Sequence, residues 1–106
     1  MSFRVIVLDE AKADLVRLYE LLFIRELERD GSGDLTLPDQ ALTTIHGALS
    51  VLERHPYTCR KAGESPYWRE LIISFGRTGF VAQFEITSED LVLVGAIRHQ
   101  REDDYH

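Results

Sequence analysis

Apolar positions recur along this chain with two different periods, and the changes of period mark the elements. Phe3 to Leu8 is a short, β-branched apolar run, the pattern of a buried strand. Asp9 follows where a helix N-cap belongs, and Glu10 favours the first turn. Ala11, Leu15, Leu18 and Leu22 then recur at spacings of four, three and four, which is one face of a helix. Tyr19, Leu21, Ile24 and Leu27 widen that stripe, and Gly31-Ser32-Gly33 ends it. Pro38 suits the first turn of a second helix, where a missing N–H costs nothing. Ala41, Ile45, Ala48 and Leu52 form its apolar face, with Leu42 and Leu49 alongside. Gly47 inside this helix points either to close contact with the first helix or to simple tolerance. His55-Pro56 stops the helix, and the short polar link predicts an antiparallel helical hairpin.

Residues 56–67 carry two prolines, one glycine and few aliphatics, and are expected to form a loop. The period then becomes two. Leu71, Ile73 and Phe75 alternate with more polar neighbours, and Gly76-Arg77-Thr78-Gly79 is a tight turn. Phe80, Ala82, Phe84 and Ile86 alternate with Val81, Gln83 and Glu85; Thr87 to Asp90 turns the chain again. Leu91 to Arg98 is the most continuous apolar strand, which predicts an interior position in the sheet. The order is β-α-α-β-β-β. It predicts an α+β domain in which the helical hairpin packs on one face of a mainly antiparallel sheet. Residues 1–99 form one domain, and residues 100–106 form a polar, loosely held tail.

Composition narrows the classes. At 106 residues, 44% hydrophobic and 28% charged, the chain has room for one core and the make-up of an ordinary globular domain. No apolar run is long enough to cross a membrane, and no charged-then-apolar leader opens the sequence, so a cytoplasmic protein is expected. The one cysteine, Cys59, excludes an internal disulfide and a zinc ribbon. The net charge is −6, from 12 basic and 18 acidic residues, and no third of the chain is basic. General binding of a phosphate backbone, which needs clustered Lys and Arg, is disfavoured.

Few residues offer chemistry. His46, His55, His99 and His106 are scattered, so neither a metal nor a cofactor is expected. No phosphate loop or nucleophile elbow occurs. Arg98-His99 closes a buried strand; Arg could hold a phosphate and His could move a proton near neutral pH. The residues alone favour the plainer alternative, a solvated strand end. Arg77 sits in a hairpin turn, where it reads as a solubilising residue, and Arg69 and Glu70 should point to opposite sheet faces. Tyr57, Tyr67 and Trp68 cluster before the second strand, either sealing the core or anchoring a partner.

Three stretches carry a resemblance. The opening Phe3-Arg4-Val5-Ile6-Val7-Leu8-Asp9-Glu10-Ala11-Lys12-Ala13-Asp14-Leu15 resembles that of the RelE/ParE superfamily of bacterial toxins. Arg69-Glu70-Leu71 running into the Phe75-Gly76-Arg77-Thr78-Gly79-Phe80-Val81-Ala82 hairpin is similar too, as is the ending Val92-Leu93-Val94-Gly95-Ala96-Ile97-Arg98-His99. The resemblance spans residues 3–99 and agrees with the element order derived above.

It implies the toxin half of a type II toxin–antitoxin module, also called a plasmid stabilisation protein, with a cognate antitoxin as partner. RelE-like members cut messenger RNA on the ribosome, and ParE-like members poison DNA gyrase. The acidic charge and the presence of only two lysines, Lys12 and Lys61, lean toward the ParE type and away from an enzyme. On that reading Arg98, His99, Arg101 and Tyr105 would bind the target, and Leu15, Leu18, Tyr19, Leu22 and Trp68 would bind the antitoxin. On the alternative, endoribonuclease reading, Arg69, Arg77, Arg98 and His99 would carry the reaction, Arg neutralising phosphate and His acting as general acid or base. A family member that only binds its antitoxin is a further alternative.

Overall fold

The computed structural model describes residues 2–100. Strand β1 (Arg4–Val7) leads into helix α1 (Asp9–Leu27), and a short link leads to helix α2 (Leu37–Leu49). The helical path continues as a 3-10 turn over Ser50–Glu53 before Pro56. Strands β3 (Trp68–Phe75), β4 (Thr78–Ser88) and β5 (Leu91–His99) follow, preceded by a two-residue strand β2 (Arg60–Lys61). The sheet order is β1-β5-β4-β3-β2, with β1 parallel to β5 and every other pair antiparallel. The α+β architecture therefore agrees with the sequence reading, and β5 is interior as expected, with β4 at the centre.

Three local expectations are corrected, and the alternative left open at Gly47 is decided. Asp9 is not the N-cap of α1: Leu8 is, in extended conformation and without a side-chain cap, because its N–H still bonds the Val94 carbonyl of the sheet. Asp9 and Glu10 instead lie in the first turn, where their charge suits the helix dipole. The loop over 56–67 contains β2, held by Arg60 pairing with Glu70 at 2.9 Å. The turn after β3 is two residues, Gly76-Arg77, with only Gly76 at positive φ, as a type II′ hairpin requires. Gly47 has no neighbour where a Cβ would stand, so it is tolerated and is not a close-packing position.

The core lies between the hairpin and one sheet face. Leu15, Leu18 and Leu22 of α1 and Ala41, Ile45 and Leu49 of α2 meet Ile73, Phe80, Phe84, Val92, Val94 and Ile97. Each large side chain buried in this way contributes about 1.5–3 kcal/mol. A bulge at Gly95 keeps β5 in phase with β4: Phe84 pairs with Val94, but Gln83 pairs with Ala96. Past Val7 the β1 edge of β5 has no strand, and there the Ile97 amide donates to Asp14 Oδ2 of α1 at 2.9 Å. Among the described residues, no helix is long and apolar enough to cross a membrane.

Candidate functional site

The sequence singled out four residues for RNA chemistry, and the fold disperses them. Arg69 ties down the loop before β3. Its guanidinium donates to the carbonyl oxygens of Pro66 (2.8 Å), Tyr57 (3.0 Å) and Cys59 (2.8 Å), and lies 5.4 Å from the centre of the Tyr57 ring. Those bonds occupy the fork that a phosphate would need. Burial raises the Cys59 thiol above its ordinary pKa, with Arg69 pulling partly the other way. Arg98 and His99 are neighbours on a strand and face opposite sides of the sheet. Arg98 stands opposite Val81 on the face without helices.

His99 is not a solvated strand end. It is 4% exposed, packs edge-on against Phe80 (5.8 Å between ring centres), and shares a 3.2 Å hydrogen bond between Nε2 and Thr78 Oγ1. It lines a cleft of about 640 Å³ between the last turns of α1, the start of α2 and the β3–β4 hairpin. Arg77, on the hairpin tip, shares this cleft with His99, so these two of the four are brought together and Arg69 and Arg98 are not.

The cleft also holds three residues that sequence reasoning missed: Arg25, Glu26 and Arg29. Glu26 is 3% exposed. Its Oε1 accepts the Asp34 amide at 3.0 Å and its Oε2 lies 3.5 Å from Arg29 Nε. The signal was present, since Leu15, Leu18, Leu22 and Glu26 continue one helical spacing and put a carboxylate on the apolar face. The link between the helices wraps this residue. A Cβ on Gly33 would collide with the Glu26 carbonyl oxygen. Asp34 Oδ1 accepts both the backbone amide (2.9 Å) and the hydroxyl (2.5 Å) of Thr36, which holds the Asp34 carboxyl below its usual pKa.

The residues expected to bind an antitoxin divide in the same way. Leu15, Leu18 and Leu22 are buried in the core. Trp68 is half-exposed but belongs to the opposite sheet face, across from Glu85. Only Tyr19 stays on the outer side of α1, stacked on Phe23 at 6.3 Å. The open part of the helix is a different stripe, in which Val16, Ile24 and Leu27 are 58%, 52% and 57% exposed. Tyr57 and Tyr67 are also half-exposed and line a smaller hollow with Ile86. Of the expected target-binding set, Arg101 and Tyr105 lie outside the described residues, as does most of the tail. Among the described residues, no group of three or more His, Cys, Asp or Glu could hold a metal ion.

The family model described as "ParE toxin of type II toxin-antitoxin system, parDE" matches residues 5–104. No curated protein matches the sequence. Among solved structures, the chain is similar to one described as "Chromosomal ParDE TA system from P. aeruginosa", with a TM-score of 0.69 at 17% identity. That match covers 92% of this chain and 96% of the other, and at such identity it speaks for the fold alone.

Proposed function

Because the chain belongs to the ParE toxin family of type II toxin–antitoxin systems, we propose that it acts in the cytoplasm as an inhibitor of DNA gyrase and is neutralised by a cognate antitoxin. The observation that carries the choice of target is the dispersal of the nuclease candidates. Cleaving RNA by general acid–base chemistry needs a phosphate-holding Arg and a proton-moving group on one substrate-facing surface. Here Arg69 is spent on three loop carbonyls and Arg98 stands on the face of β5 opposite His99; Arg77 shares the cleft with His99, but that imidazole is 4% exposed and its Nε2 is hydrogen-bonded to Thr78 Oγ1, so it offers a substrate little access. The net charge of −6 points the same way, since a strand of RNA is held largely through neutralised phosphates. A protein target asks for less: a shape-matched surface with a few Arg and aromatic anchors. Arg98 and the half-exposed Trp68 offer these on the open sheet face.

The antitoxin is assigned to the outer stripe of α1. Val16, Ile24 and Leu27 are large, apolar and open to water, with Tyr19 and Phe23 between them. Such a stripe suits the apolar face of an amphipathic segment that folds on binding. A supercoiling assay with purified gyrase tests the target, and co-purification with the antitoxin tests the partner. Inhibition of supercoiling without ribosome-dependent cleavage of messenger RNA is expected. RNA cleavage that is lost in His99→Ala, with gyrase unaffected, overturns the reading in favour of the nuclease.

A further inference from the structure

We propose that the cleft between α1 and the β3–β4 hairpin is a socket for an acidic side chain of the antitoxin. The inference rests on the antitoxin reading above and adds the chemistry of the segment that binds.

Charge is the first ground. In a chain with a net charge of −6, three arginines, Arg25, Arg29 and Arg77, converge on one cleft. The single carboxylate there, Glu26, is engaged by Arg29 and by the Asp34 amide. Arg25 and Arg77 make no ion pair among the described residues. Two cations are thus left facing a partly enclosed space, where a carboxylate is bound more strongly than on an open surface.

Composition of the walls is the second. Leu37, Phe75 and Phe80 line the same cleft, so it offers apolar surface next to the arginines. That mixture fits a polypeptide carrying apolar and acidic residues side by side. A small inorganic anion would leave that apolar wall without a partner.

The test uses the full-length toxin and its purified antitoxin, with affinity measured by calorimetry at 0.1 and 0.5 M NaCl. The double variant Arg25→Gln/Arg77→Gln changes two exposed side chains and should fold, which circular dichroism checks. We expect its affinity at low salt to fall by about 10-fold or more, and its salt dependence to flatten relative to wild type. Arg54→Gln, which removes a charge outside the cleft, should bind as wild type does. A double variant with wild-type affinity overturns the socket while leaving the antitoxin reading intact. A wild-type toxin that does not bind the antitoxin overturns both. Competition by 10 mM inorganic phosphate, added as sodium phosphate at constant ionic strength, makes the cleft a general anion site and also overturns the proposal.

Discussion

Removing the Glu26 side chain should cost this domain about 2–4 kcal/mol. Three contributions set the figure. The Asp34 amide loses a charged acceptor at 3.0 Å in a part-buried position, a bond of about 1.5–3 kcal/mol. The Arg29 pair contributes only about 0–1 kcal/mol, because its guanidinium lies at the surface and is solvated with or without a partner. Truncation at Cβ also removes one buried methylene, worth about 0.8 kcal/mol. Water can enter the open cleft and bond the stranded amide, which holds the total toward the lower end. For a domain of this size the loss corresponds to a fall in Tm of about 10–20 °C. Urea denaturation of Glu26→Ala, followed by circular dichroism, measures it directly. Glu26→Gln keeps an acceptor for the amide and should lose only about 1 kcal/mol, and Arg29→Ala should lose less still. The order Ala, Gln, then the Arg29 variant is the diagnostic. A Glu26→Ala protein within about 0.5 kcal/mol of wild type would refute the assignment of this carboxylate as the tie between the helices.

Three further outcomes are expected. Gly33→Ala drives a methyl group into the Glu26 carbonyl and should destabilise by about 1–3 kcal/mol in thermal or urea unfolding; an unchanged midpoint would contradict the close approach. Arg69→Lys keeps the charge but cannot fork across the Tyr57, Cys59 and Pro66 carbonyls, so it should lose about 1–3 kcal/mol and give little rescue over Arg69→Ala. The Asp34 carboxyl is depressed by the hydroxyl and amide of Thr36, so its stabilising effect is present above the ordinary value of 3.8 and is lost as pH falls through its lower folded value. A carbon-detected NMR titration should give an Asp34 midpoint below 3.8 that rises in Thr36→Ala, and a midpoint insensitive to that change would be evidence against the bond.

The helical faces were legible in the sequence because period alone specifies them: Ala11, Leu15, Leu18 and Leu22, and Ala41 and Ile45, are all core. The short strand β2 was not, since Arg60-Lys61 has no apolar alternation and depends on long-range partners, the Glu70 carboxylate and the Trp68 carbonyl that accepts from Ala62. The start of α1 was misplaced by one residue for a related reason. Asp9 has the chemistry of an N-cap, but the residue that leaves the sheet is decided by the ladder, and Leu8 is still bonded to Val94. The antitoxin surface was sought in the stripe that periodicity made visible. Periodicity marks what the protein buries for itself, so the residues left open, Val16, Ile24 and Leu27, were those that broke or widened the pattern.

The candidate site was hidden by one extra residue. Strict alternation from Val92 and Val94 would put Ala96 and Arg98 on the core side and turn His99 outward. The bulge at Gly95 reverses this, so Ile97 and His99 face the core and Arg98 faces away. Asp14 sits where the reversal needs support. It accepts the Ile97 amide on the edge that β1 no longer covers, an amide that would otherwise lack a partner in a part-buried place. A polar residue in the middle of α1, 83 positions away in sequence, thus satisfies the backbone just past the bulge that sends His99 toward Arg77 and the cleft. No local pattern encodes that link. It depends on α1 crossing the end of β1 beside β5, which the arrangement of the whole domain provides.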